Sequence, residues 1–263
     1  MNRLKDILNK KKIIKVMEAH SGISALIVEK SKYSAIWISS LTHSASKGLP
    51  DIELVSLNER IDLVKEIRRV VQKPIIVDID TGGDIRHLPY YVKWFEQAGA
   101  DAIVIEDKKY PKENSLDNKS HSLEDVDKFA KKIKVSKKAS KDILIIARLE
   151  SLIAKRSVYD ALLRASAFQE AGADAMLIHS KSEISADEVM EFAKKFRERS
   201  CIPLVAIPTS YILPEKHLFN IVIYANQMFR SSIYAMEQTI KAMEDNKKVE
   251  MSSVRDIFNL IGQ

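Results

Sequence analysis

The chain has 263 residues, 46% hydrophobic and 30% charged, with a formal net charge of +6. That is enough apolar side chain for one large α/β barrel or two ordinary domains, and no window approaches the roughly 18 uninterrupted apolar residues a membrane span needs. A lone cysteine, Cys201, excludes an intramolecular disulfide, so the expected setting is a reducing cytoplasm.

Residues 1–15 scatter lysines among isolated apolar residues and carry no secretory-signal pattern. Beyond them, short β-rich runs alternate with amphipathic stretches. Strands are expected at 13–17, 35–38, 75–78, 102–105, 144–148, 175–178, 204–207 and 221–224. Helices are expected at 57–71, 90–98, 123–138, 157–171 and 186–199, the first opened by a Ser56-x-x-Glu59 capping box. The densest basic block, 131–141, has helical spacing and reads as a solvated helix face, not a nucleic-acid surface. The positive field suits a phosphorylated metabolite instead.

An eight-residue pattern repeats. Phe95-x-x-Ala98-Gly99-Ala100-Asp101-Ala102 recurs as Phe168-x-x-Ala171-Gly172-Ala173-Asp174-Ala175. Each copy ends a helix on glycine and drops into an apolar strand, the joint of a repeating β/α unit. Eight such alternations without a break in composition predict one (β/α)8 barrel over 1–263, with a doubly wound open sheet as the alternative. Helical patterns at 227–246 and 252–260 follow the last strand. Tyr234, Met236, Ile240 and Met243 fall near one face of the longer one, so this tail covers its own barrel or docks on another copy.

In a barrel, the carboxyl ends of the strands share one mouth. Glu18 and His20, Trp37 and Ser40, Asp78 and Asp80, Glu106 and Asp107, Arg148 and Glu150, and His179 all stand at such ends. Asp78, Asp80 and Glu106 form the oxygen-rich set that a hard divalent cation prefers; the competing reading is an Asp-Thr-Gly turn capping its own amides. Arg148 faces an anion or pairs with Glu150 or Glu106. Trp37 stacks on a small planar ligand or fills the barrel. The polar stretch after Glu106 is the expected lid.

Five segments together resemble the phosphoenolpyruvate mutase family of the isocitrate lyase superfamily: Glu18–Ala25, Asp78-x-Asp80-Thr81-Gly82, Glu106–Ser115, Ala147-Arg148-x-Glu150 and Ile178–Lys181. The resemblance implies Mg²⁺-dependent interconversion of phosphoenolpyruvate and 3-phosphonopyruvate. Asp78 would be the direct metal ligand, with Asp80 and Glu106 acting through waters. Ser40 and Leu41 would supply backbone amides to the pyruvyl oxygens, Trp37 the stacking ring and Ser39 a hydroxyl. Asp51 would be the essential loop aspartate, and Asn114, Arg148 and His179 would contact the phosphoryl and carboxylate groups. Lys112, Ser115 and Leu116 would belong to the gating lid, and the assembly would be a dimer or tetramer exchanging its last helices. The chain departs from the family pattern at Ile79, Gly83 and Asp84, at Ser40 (where glycine is usual) and at Leu149. Phosphonopyruvate hydrolase is the nearest alternative. A carbon–carbon lyase lacks its lid cysteine here, and an inactive binding homologue is a further alternative.

Overall fold

The computed structural model describes residues 2–10, 13–117, 121–182, 185–208 and 211–262. Eight parallel strands close into a barrel in sequence order. They are β1 (Ile14–Glu18), β2 (Ala35–Ile38), β3 (Ile75–Asp78), β4 (Ala102–Glu106), β5 (Leu144–Leu149), β6 (Ala175–Ile178), β7 (Leu204–Ala206) and β8 (Ile221–Tyr224). The expected strands lie within a residue or so of these bounds. The open-sheet alternative is ruled out by the β1–β8 pairing, which sets Ile14 beside Ile221.

Around the barrel run α2 (Gly22–Glu29), α4 (Leu57–Arg68), α5 (Leu88–Ala98), α6 (Val126–Ala139), α7 (Val158–Glu170) and α8 (Asp187–Arg197). α1 (Arg3–Leu8) caps the amino-terminal end, where fully buried Leu4 joins the barrel interior. α3 (Ser40–Ser46) opens directly off β2. None of α1, α2 or α3 was expected from the sequence, because helices of six to eight residues show too few turns for their periodicity to register. The Ser56/Glu59 capping box is present at the start of α4.

Strand alternation divides the core in two. Ile76, Val104, Ile146 and Leu177 fill the barrel interior, while Ile75, Val77, Ile79, Ile103, Ile105, Ile145, Ala147 and Leu149 pack outward against the helices. Ile79 therefore points away from the mouth, as its parity predicts. Lys132 corrects the reading of the basic block: it is buried, and its Nζ donates to Thr81 O at 2.8 Å, bracing the loop after β3.

The internal repeat has a physical meaning. Asp101 N donates to Ile75 O at 2.8 Å, and Ile75 N returns a bond to Asp101 Oδ2 at 2.9 Å. Asp174 makes the same two-way clasp with Ile145, at 2.8 and 2.9 Å. Gly99 and Gly172 turn the chain into each clasp with φ of 97° and 101°, a conformation costly for residues with a Cβ. A Cβ on Gly99 would also stand 2.9 Å from Arg68 Cγ.

After β8 come α9 (Gln227–Glu244) and α10 (Val254–Ile261), in which no residue is buried. Among the described residues no helix is long and apolar enough to cross a membrane. Asp101→Ala and Asp174→Ala should each cost about 1–3 kcal/mol of unfolding free energy, since each leaves a strand-foot amide without its acceptor; urea titration of the two variants measures this.

Candidate active site at the barrel mouth

The parity that puts Ile76, Val104, Ile146 and Leu177 inside the barrel carries two residues further to Asp78, Glu106, Arg148 and His179. Glu106 and Arg148 are direct neighbours in the β4–β5 register. All four are buried. Their charges must therefore be met by one another, and Arg148 is the group that does so. Its Nε donates to Glu150 Oε1 at 2.6 Å, its Nη1 to Asp78 Oδ2 at 2.9 Å and its Nη2 to Ser115 Oγ at 3.2 Å. The same Nη2 lies 3.4 Å from Glu106 Oε2 and 2.9 Å from His179 Nδ1. The salt-bridge reading of Arg148 thus holds, with both expected partners, in a group that also lines the cavity.

Protonation follows from this packing. Burial lowers the Arg148 pKa, but the carboxylates of Glu150, Glu106 and Asp78 more than reverse that, so the guanidinium stays charged. Burial and then the Arg148 charge hold His179 down at about 4, leaving the imidazole neutral at pH 7. Burial pushes Glu106 up to about 8 and raises Asp78 as well. Burial also acts on Glu150, yet Arg148, Lys108 and His179 hold it well below the usual carboxylate range.

The lid covers this group. Lys112 Nζ reaches Asp80 Oδ1 at 2.7 Å, and Asp51 Oδ2 and Ser40 Oγ at 3.0 Å. Asn114 Nδ2 donates to Asp51 Oδ2 at 2.7 Å, and Ser115 Oγ donates to Glu150 Oε2 at 2.6 Å. Lys108 Nζ, also buried, bonds Ser115 Oγ and pairs with Glu150 at 3.1 Å. The lid's two ends meet in an antiparallel bridge between Lys108 and Leu123.

Beneath the lid is a cavity of about 50 Å³ lined by Trp37, Ser39, Ser40, Leu41, Asp51, Asp78, Lys112, Asn114, Ser115, Leu116, Arg148, His179, Ile207, Ala225 and Asn226. Of the expected site residues only Asp80 and Glu106 are outside this lining. Trp37, 1% exposed, packs in the interior core, as its barrel-filling reading has it, and also forms part of the cavity wall. A larger depression of about 730 Å³ between α4 and α5 lies on the barrel's flank and touches none of these residues.

The three-carboxylate cation site is not assembled as expected. Among the described residues no three His, Cys, Asp or Glu side chains are grouped to hold a metal by themselves. Asp80 is turned into an ion pair with buried Arg60 of α4 and toward Lys112, and these two charges keep its pKa low against the opposing effect of burial. Yet the donors suit a hard cation that keeps most of its waters. Neither carboxylate oxygen of Glu106 accepts a hydrogen bond, although both are buried and Arg148 Nη2 stands 3.4 Å from one of them, so both can accept from the waters of a bound cation.

Two expected members of the mouth serve elsewhere. Glu18 holds His20 Nδ1 at 2.8 Å and accepts from Phe229 N at 3.1 Å, capping the start of α9. Asp107 accepts from Glu150 N at 2.8 Å and pairs with Arg164 at 3.1 Å. Arg60 was missed in the sequence, although it shares an i, i+4, i+7 stripe with the buried Val64 and Ile67, and a charge on such a stripe is a signal. Glu53 and Asn226 carry no comparable mark.

A family model for phosphoenolpyruvate phosphomutase matches residues 4–244. The chain belongs to that family. The Tetrahymena pyriformis phosphoenolpyruvate phosphomutase is 33% identical across 99% of this chain and 91% of its own. The phosphonopyruvate hydrolase of Variovorax sp. (strain Pal2) is 34% identical across 98% and 93%. The crystal structure of the phosphoenolpyruvate phosphomutase from Streptomyces platensis subsp. rosaceus superposes with a TM-score of 0.93 at 32% identity, covering 99% of this chain and 94% of that one. A phosphonopyruvate hydrolase in complex with oxalate and Mg²⁺ gives 0.89 at 33%, covering 99% and 94%. Like others in the phosphoenolpyruvate phosphomutase family, the chain is an enzyme.

The base of the lid gives a direct test of the charge balance. Burial pushes Asp107 up to about 6, with Arg164 opposing. Arg164→Met should destabilise the fold by about 3–5 kcal/mol by stranding that carboxylate, and Asp107→Asn in the same chain should recover part of the loss. Chemical denaturation of the single and double variants measures both.

Proposed function

We propose that this protein moves a phosphoryl group between the enol oxygen of phosphoenolpyruvate and the methylene carbon of 3-phosphonopyruvate, in a reducing cytoplasm and as a homo-oligomer. One observation carries the reading: Lys112, Asn114 and Ser115 of the lid reach across the mouth to Asp51, Glu150 and Arg148 and leave a cavity of about 50 Å³ beneath them. A transferring phosphoryl group there would meet substrate carbon rather than bulk solvent, and the lid must open for substrate to enter.

The roles follow from chemistry. Arg148, Asn114 and His179 bind the phosphoryl oxygens; His179 Nδ1 lies against Glu150 Oε1 at 2.8 Å and Arg148 Nη2 at 2.9 Å, which fixes the ring and leaves Nε2 as its other polar edge. The Ser40 and Leu41 amides, with the Ser39 hydroxyl, hold the pyruvyl oxygens, and Trp37 backs the pyruvyl plane. Asp51, gripped by Lys112 and Asn114 when the lid is shut, accepts or guides the group in flight. Lys112, Ser115 and Leu116 shut the site. Mg²⁺, which the hydrolase relative holds together with oxalate, would be held by Asp78 directly and by Asp80 and Glu106 through waters. When bound it stabilises negative charge on the enolate oxygen.

The test is turnover of phosphonopyruvate with Mg²⁺, followed by phosphorus NMR. Phosphoenolpyruvate should accumulate, chelation with EDTA should stop the reaction, and Asp51→Ala should abolish it with the fold intact. Inorganic phosphate as the main product would instead identify a hydrolase, the activity of the similarly close Variovorax relative; retained binding without turnover would identify an inactive binder.

The chain acts as one barrel whose residues 227–263 serve assembly. Tyr234, Met236, Ile240 and Met243 of α9 and Val254, Ile257, Phe258 and Ile261 of α10 are all exposed, an apolar area that calls for a covering surface. A second copy supplies it. Light scattering should give a dimer or tetramer for the native chain and a smaller species for Ile257→Asp/Phe258→Asp.

A further inference from the structure

Most lid contacts reach groups that the substrate itself would engage. Lys112 Nζ, Asn114 Nδ2 and Ser115 Oγ end on Asp51, Ser40, Asp80, Glu150 or Arg148, mostly groups for which a phosphorylated ligand in the cavity would compete. Two contacts on the lid backbone are of another kind: Lys181 Nζ donates to Asp117 O at 2.7 Å, and a second comes from the loop after α3. Glu53, two residues beyond Asp51, lies outside the cavity wall. Its Oε1 accepts from Thr81 N at 3.1 Å and from Thr81 Oγ1 at 2.8 Å, while its Oε2 accepts from the lid backbone at Lys112 N at 2.8 Å. Thr81 is itself fixed, since its carbonyl accepts from buried Lys132 Nζ. The carboxylate therefore ties a braced loop to the moving segment. Glu53 also adopts φ 61°, a conformation that strains a residue with a side chain and persists where surrounding bonds over-determine it.

We propose that Glu53 is the latch of the lid, a positioning residue that carries closure from the Thr81 loop to the Lys112 backbone whether or not a ligand fills the cavity. The geometry needs both oxygens. A glutamine keeps the bulk but can accept on one side only, so either the Thr81 pair or the lid amide faces a donor. Loss of that bond shifts the lid toward open and admits water to the phosphoryl group. The latch itself stands apart from the proposed activity; only its effect on product rests on that reading.

The experiment compares wild type, Glu53→Gln and Glu53→Ala as full chains under limited trypsinolysis, with mass-spectrometric identification of the cut sites. Lys112 is 3% exposed under the closed lid, so cleavage after it reports opening. Cleavage there should be about tenfold faster in Glu53→Gln, with cleavage elsewhere in the barrel unchanged. The phosphorus NMR assay should show a larger share of inorganic phosphate from the variant. Wild-type cleavage at Lys112 in both variants would overturn the latch. So would uniformly faster cleavage throughout the chain, which marks a merely structural role. If the wild type turns over no phosphonopyruvate, the proposed function fails while the proteolysis still decides the latch.

Discussion

A guanidinium buried at the top of β5 holds the mouth of this barrel together. Removing a charge from water costs several kcal/mol unless partners meet it, and Arg148 is met on each edge: Glu150 at Nε, Asp78 at Nη1, Ser115 at Nη2, with Glu106 and His179 alongside. The dependence is mutual. The buried carboxylates of Asp78, Glu106 and Glu150 would repel one another without a central cation, and His179 is neutral in part because of that charge. The lid enters the same balance, since Ser115 bonds Arg148, Glu150 and Lys108 together.

Around this centre the protein spends buried charge freely. Lys112 sits among Asp51, Asp80 and Ser40, and burial's lowering of its pKa is far outweighed by the carboxylates of Asp80, Glu106, Asp51 and Asp78. Arg60 enters from beneath, donating to Asp78 O at 3.0 Å and pairing with Asp80. Such arrangements contribute little to stability compared with apolar packing, but they fix side-chain positions closely. For phosphoryl transfer that is the useful trade: little covalent work is needed, and catalysis comes mainly from preset charges and excluded water.

The barrel beneath does a different job. The Asp101 and Asp174 clasps close the feet of β3 and β5 at the end opposite the site, so stability and chemistry occupy opposite faces. The C-terminal arm is anchored by the mouth: Glu18, at the end of β1, caps the first turn of α9. A residue that stands among the strand ends at the mouth instead caps α9, while α10 folds back on α2, where Lys30 Nζ donates to Asn259 O and Leu260 O at 3.2 and 3.0 Å.

Much of this was legible in one dimension. Short apolar β-rich runs located eight strands and helical periodicity the main helices, and the Ala-Gly-Ala-Asp repeat marked two αβ joints, because local backbone preference and burial write those patterns directly into the chain. Strand ends and the lid stretch pointed to Trp37, Ser39, Ser40, Asp78, Lys112, Asn114, Ser115, Arg148 and His179, and the family resemblance added Leu41, Asp51 and Leu116; these twelve of the fourteen expected site residues line the cavity. What the sequence could not decide is which charges pair. Arg60 and Asp80, or Glu53 and Lys112 N, are joined only after a helix, two loops and the lid have packed. Asp107 and Glu106 are neighbours in the chain, yet they point to opposite sides of one strand and meet different partners. Ion pairing depends on distance through a desolvated interior, and that distance exists only in the folded molecule.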